Sequence, residues 1–137
     1  MYKLLDIPCG GGKTVIALNI AAVLKKKSIV IVHKTFLMDQ WASRIRQFLP
    51  GARIGYIQAS TIDIEGKDIV LAMLQSISMK EYDDELFKQF GFVIFDECHH
   101  LSAEVFSKAM RKISPKYILG LSATIKRADG TQYVFKW

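Results

Sequence analysis

The segment DIPCGGGKT, residues 6–14, sets three consecutive glycines directly before a lysine and a threonine. A phosphate group needs several backbone N–H groups aimed at one point, with no Cβ in the way. Gly10, Gly11 and Gly12 permit that, and the helix expected from Thr14 onward adds the positive end of its dipole. Lys13 can reach the outer phosphates of a triphosphate, and the Thr14 hydroxyl can ligate Mg²⁺. A simple turn before a helix would account for the glycines but does not call for Lys-Thr immediately after them. The pattern G-x-x-x-x-G-K-[ST] asks for Gly or Ala at position 7, where Ile7 stands, so the match fails at one position.

A second constellation is VIFDECHH, residues 93–100. An apolar run delivers two adjacent acids to its end, which is costly unless a cation or solvent meets them. Asp96 can hold Mg²⁺ through water, and Glu97 can orient and deprotonate an attacking water. His99 suits a neutral role between a terminal phosphate and a neighbouring strand end, with His100 a polar neighbour. Zinc is disfavoured: Cys98, His99 and His100 are contiguous, and one strand end can hardly aim all three at one metal. A third segment, LSATIKR at 121–127, is uninformative alone; its value is its place after another apolar run.

These residues need a scaffold. The runs SIVIV (28–32), DIVLAM (68–73), FVIF (92–95) and YILGL (117–121) are short, β-branched or aromatic, and apolar on both faces. Strands read that way when helices cover both sides of their sheet. YKLLDI (2–7) is a candidate first strand and RIGYI (53–57) a further one. Helical patterns lie between them. Thr14–Lys26 is apolar nearly all round, with Lys25, Lys26 and Lys27 where a helix C-terminus favours cations. Thr35–Leu49 carries a stripe of Leu37, Trp41, Ile45 and Phe48, which makes Trp41 a core residue rather than a base-stacking one. Ser102 reads as the N-cap of a helix over 103–113, and Asp83–Lys88 as a short helix. Alternating strands and helices imply an α/β fold with a mainly parallel sheet and helices on both faces. Such sheets bind ligands beyond the carboxyl ends of their strands. There the sequence places the glycine loop, His33-Lys34-Thr35, Gln75-Ser76, Asp96-Glu97 and Ser122-Ala123-Thr124.

The chain's 137 residues suffice for one domain, and half of them are hydrophobic. No apolar stretch is long enough to span a membrane, and the start lacks the layout of a signal peptide. The expectation is therefore an intracellular protein, cytoplasmic or nuclear, without a membrane partner. Two distant cysteines, Cys9 and Cys98, make no disulfide framework and suit a reducing compartment. The net charge of +6 is uneven: residues 1–60 hold nine Lys/Arg against two acids, 61–100 three against nine, and 101–137 seven against two. That basic–acidic–basic layout favours a polyanionic partner.

Together these segments resemble superfamily 2 helicases and translocases of the DEAD/DEAH type. Pro8-Cys9-Gly10-Gly11-Gly12-Lys13-Thr14 resembles their motif I, Asp96-Glu97-Cys98-His99 a DExH form of motif II, and Ser122-Ala123-Thr124 motif III. An apolar residue before PCG, here Ile7, is similar to the xeroderma pigmentosum group B branch. HKTFLMDQW (33–41) resembles motif Ia in the wording of large-DNA-virus and phage helicases, so a viral or phage source fits. The resemblance covers essentially the whole chain and implies a single domain over 1–137: the first RecA-like, ATP-binding domain of a P-loop NTPase.

The resemblance implies roles. Pro8 to Thr14 would bind ATP, with Thr14 and Asp96 serving Mg²⁺ and Glu97 the attacking water. His99, Ser122 and Thr124 would couple nucleotide state to grip on nucleic acid. Lys34 and Thr35, with Gln75 and Ser76 of the following motif, would touch the backbone of one strand, DNA being favoured over RNA. Family members use a second RecA-like domain that supplies arginine fingers, and this sequence shows no match to it. The expectation is a fragment or truncated product that binds ATP and turns it over very slowly alone. Three alternatives remain: a degenerate nucleotide-binding or interaction module without ATPase activity, the motor domain of a restriction enzyme, and a small-molecule P-loop kinase. The last is disfavoured by the Asp-Glu-Cys-His string and by the lack of an arginine-rich lid.

Overall fold

A computed structural model of the chain describes residues 2–6, 12–79, 87–96, 102, 104, 107–108, 111, 113 and 115–122. Among the described residues, seven strands form one sheet: β1 (Tyr2–Asp6), β2 (Ser28–Val32), β3 (Ile54–Gln58), β4 (Thr61–Asp63), β5 (Ile69–Met73), β6 (Phe92–Phe95) and β7 (Tyr117–Ser122). Their order is β1-β7-β6-β2-β5-β3-β4. Every neighbouring pair is parallel except β3 with β4, an antiparallel hairpin at one edge. The central strands are the apolar runs of the sequence, and β2 and β6 are buried at every position.

The sheet has two covered faces, and strand parity sorts the side chains between them. Ile29 and Ile31 of β2, with Val93 and Phe95 of β6, point into one core. There they meet Ile77 of the short helix α3 (Leu74–Met79), together with Phe87, Phe90 and Ile113. Val30 and Val32, with Phe92 and Ile94, point into the other. That core is closed by Ala17, Leu18 and Ala21 of α1 (Gly12–Leu24) and by Leu37, Met38, Trp41, Ala42 and Ile45 of α2 (Thr35–Phe48). Each fully buried large aliphatic or aromatic side chain contributes roughly 1.5–3 kcal/mol relative to exposure. Helices on both faces of a mainly parallel sheet are thus as expected from the sequence.

Some local expectations change. Helix α1 begins at Gly12 rather than Thr14 and ends at Leu24. Lys25 therefore follows the helix, at φ 53°, and its N–H closes the end by bonding to the Ala21 carbonyl at 3.1 Å. Phe48 does not continue the stripe of α2: it is 42% exposed, and Leu49 packs against the core as the chain leaves the helix. Strand β4 and helix α3 were not anticipated. Asp83–Lys88 falls largely outside the described residues, though Phe87 and Lys88 are helical. Residues 104, 107, 108, 111 and 113 are helical, in keeping with a helix over 103–113. No helix among the described residues is long and apolar enough to cross a membrane.

Candidate nucleotide site at the carboxyl edge of the sheet

In a parallel sheet all strands end at the same edge, so the register locates their last residues relative to one another. Asp6 at the end of β1 pairs with Ser122 at the end of β7. Phe95 at the end of β6 pairs with Gly120 on one side and Ile31 on the other. Val32 at the end of β2 pairs with Met73 at the end of β5. Beyond this edge lie the first turn of α1, Asp96, His33-Lys34-Thr35 and Leu74-Gln75. The described residues of the candidate segments lie there because each follows a strand of one sheet.

Of the candidate site residues, Asp96 has the most fully described surroundings. Its backbone N–H extends the sheet ladder by bonding to the Ile31 carbonyl at 3.1 Å. By parity its side chain lies on the face of Phe92 and Ile94, the face that α1 and α2 cover. The residue is 6% exposed, one of few buried polar residues among those described. The indole N–H of Trp41 donates to Asp96 Oδ2 at 2.8 Å, a buried contact between α2 and the end of β6. Trp41 is itself 2% exposed. Sequence reasoning placed Trp41 in the core, where it is, and missed this bond. A buried indole needs an acceptor for its N–H, and that was the available signal.

Thr14 stands half-buried in the first turn of α1. Its hydroxyl and the Asp96 carboxylate are both oxygen donors, the kind Mg²⁺ takes. Of Gly12, Lys13 and Ser122 the backbone alone is described: Gly12 and Lys13 open α1, and Ser122 ends β7. Pro8, Cys9, Gly10, Gly11, Glu97, His99 and Thr124 lie outside the described residues.

The four residues expected to meet nucleic acid divide in two. Lys34, Thr35 and Gln75 are exposed at the edge. The Lys34 ammonium sits 5.8 Å from the ring centre of Phe36, which is 54% exposed. Gln75 Nε2 donates to the His33 carbonyl at 3.2 Å, and Gln58 Nε2 donates to Thr35 Oγ1 at 3.4 Å. Those bonds tie the loop after β2 to its neighbours. Ser76 is 9% exposed, and its hydroxyl oxygen accepts the Ala59 N–H at 3.0 Å. Ala59 has φ 53° in the β3–β4 turn, so Ser76 braces that turn.

Across the molecule, at the amino edge, a cleft of about 730 Å³ is lined by Lys25, Lys26, Lys27, Arg53, Lys67 and Asp68 among others. Part of its charge is paired within the chain. Asp68 Oδ2 accepts the Arg53 backbone N–H at 2.8 Å, and Oδ1 pairs with the guanidinium at 3.4 Å. These bonds, the backbone one first, hold the Asp68 carboxyl below its ordinary range. Lys27 donates to the Ile64 carbonyl at 2.7 Å and to Gln89, and burial lowers its pKa.

Comparison with known proteins agrees with this architecture. The family model described as "Type III restriction enzyme, res subunit" matches residues 2–127. A protein of Acanthamoeba polyphaga mimivirus whose name proposes an ATP-dependent RNA helicase is 41% identical over 97% of this chain and 25% of its own length. The DNA 3'-5' translocase XPB2 of Sulfurisphaera tokodaii is 33% identical over 96% of this chain and 29% of its own. The chain thus spans between a quarter and a third of these two relatives. In fold it superimposes on the UvsW helicase of bacteriophage T4 with a TM-score of 0.74, at 24% identity, over 90% of this chain and 47% of that one. On the Sulfolobus solfataricus SWI2/SNF2 ATPase core in complex with dsDNA the TM-score is 0.73, at 22% identity, over 89% of this chain and 27% of that one. The sheet order, the helices on its two faces and the match over nearly all of the sequence lead to one assignment: this chain belongs to the type III restriction enzyme res subunit family and has the RecA-like fold of superfamily 2 helicase cores.

Proposed function

We propose that this chain is the ATP-binding half of a nucleic-acid-dependent ATPase that couples hydrolysis to movement on DNA. The observation that carries the reading is Asp96, a buried carboxylate at the end of β6, on the same edge and face as the first turn of α1. Residues Pro8–Thr14 would wrap the phosphates, their N–H groups and the α1 dipole meeting the negative charge. Lys13 would bind the β- and γ-phosphates. Glu97 would take a proton from the attacking water, whose oxygen bonds to the γ-phosphorus as the bond to ADP breaks. Thr14 and Asp96 would hold Mg²⁺, Asp96 through water; the ion, when bound, offsets charge on the phosphate oxygens. His99, Ser122 and Thr124 would carry the change at the γ-phosphate towards bound nucleic acid. Lys34, Thr35 and Gln75 would contact strand phosphates, and such contacts position without reading sequence.

An arginine finger from a second RecA-like domain contributes about 10³–10⁵ in rate in related chemistry, so this chain alone should turn ATP over slowly. The test is ATP turnover by the chain with a second RecA-like domain present, with and without single-stranded DNA, duplex DNA or RNA. DNA should stimulate more than RNA, and Glu97→Gln should abolish the stimulated turnover. Equal turnover in Glu97→Gln would favour an interaction module, and stimulation by RNA alone would overturn the DNA assignment. Similarity to a named DNA translocase supports that assignment.

A further inference from the structure

The contact between Trp41 and Asp96 is unusual in what it joins. One partner is a core residue on α2, 2% exposed; the other is the acid that would serve Mg²⁺, 6% exposed. They are 55 residues apart in sequence, and the bond is 2.8 Å long and buried. A carboxylate has two oxygens and several acceptor directions. A fixed donor on Oδ2 restrains the carboxylate's rotamer and so the direction of both oxygens. The indole is a good fixture: it is planar, it has one N–H, and its ring is buried in the core on the α1/α2 face of the sheet. The Asp96 backbone is fixed as well, through its N–H to Ile31.

We infer that Trp41 is a positioning residue for the nucleotide's Mg²⁺: its indole N–H holds the Asp96 carboxylate in the orientation that receives the hydrated ion. This rests on the proposed role of Asp96 and extends it to a buried core residue of α2. Outer partners of this kind orient the groups that bind metals and are felt in metal affinity. A consequence is that helix α2, whose first half carries the residues resembling motif Ia, and the metal site are mechanically joined. A shift of α2, whose first turn carries the exposed Thr35 and Phe36 beside Lys34, would turn the carboxylate.

The experiment measures the affinity of the 137-residue chain for ADP and for a non-hydrolysed ATP analogue, each with Mg²⁺ and with excess EDTA. The ratio of the two affinities is the magnesium increment. Asp96→Asn should collapse the increment towards unity. Trp41→Phe, which keeps an aromatic ring and removes the donor, should reduce it about tenfold, the low end for an outer partner. Its affinity in EDTA should stay within about twofold, because the bond bears on nucleotide binding through the metal. A wild-type increment in Trp41→Phe, with the increment lost in Asp96→Asn, overturns the positioning role and spares the role of Asp96. Equal losses with and without Mg²⁺ in Trp41→Phe also overturn it, as mere packing. A wild-type increment in Asp96→Asn removes the premise itself. If Trp41→Phe does not fold, the native indole serves instead. Trp137→Phe leaves Trp41 as the sole tryptophan. Its emission should change on adding nucleotide with Mg²⁺ and not with EDTA; no difference between the two overturns the inference.

Discussion

The Trp41–Asp96 bond makes a stability prediction that needs no nucleotide. Removing the indole with Trp41→Phe takes one donor from a buried carboxylate. A hydrogen bond to a charged group is worth about 1.5–3 kcal/mol. The single variant also loses ring area, so its total cost exceeds that of the bond. Removing the carboxylate with Asp96→Ala sets two terms against each other: it strands the indole N–H but relieves the burial of a charge. The double-mutant cycle cancels both private terms and leaves the pair. A coupling energy of about 1.5–3 kcal/mol is expected for a buried charge-assisted bond of normal length. Asp96→Ala is required here because an asparagine would still accept from the indole. Urea unfolding, followed by far-ultraviolet circular dichroism, gives all four stabilities, and a chain of this size suits two-state treatment. A coupling below about 0.5 kcal/mol, the scatter of independent sites, would refute the bond as drawn.

Three further outcomes follow from the surrounding fold. A Cβ at Gly55 would lie 2.1 Å from the Asp63 carbonyl oxygen, so Gly55→Ala should force the β3–β4 hairpin apart and cost about 1–3 kcal/mol, read by urea unfolding. Lys25, held at φ 53° just past α1, should tolerate glycine better than lysine; Lys25→Gly should stabilise by about 0.5–1 kcal/mol and raise the melting temperature. Asp68 titrates below its ordinary value because Arg53 donates to it, so its contribution to stability is present above about pH 4 and is lost as pH falls through the depressed value. Asp68→Asn should therefore flatten the acid limb of the stability profile, measured as urea midpoints down to about pH 2.

Much of the fold could be read from local pattern. The buried strands are continuous β-branched and aromatic runs because both faces of the sheet are covered, and the same feature marks them as central. What escaped was set by pairing rather than by pattern. Strand β4 is three exposed residues, Thr61–Asp63, with no apolar alternation of its own; β3 and the Ala59 turn recruit it. Helix α3 is six residues long and is held by Ile77 in the core, too short for a period to register. Phe48 fits the helical stripe by spacing, but α2 ends there, and Leu49 takes the inward place. The edge that carries the described candidate residues was legible, since a parallel sheet sends the segments after its strands to one edge. Which of its residues brace others was not: the hydroxyl of Ser76 and the indole of Trp41 find their partners only through tertiary contacts.

The most direct test of the central claim uses Mn²⁺ in place of Mg²⁺ with ADP, and reads paramagnetic broadening of assigned backbone amides. The account predicts that the amides of Lys13, Thr14 and Asp96 broaden together, while Arg53 and Lys67 at the opposite edge keep their sharp signals. Broadening at only one of the two segments, or at the lysine-lined cleft, would contradict it.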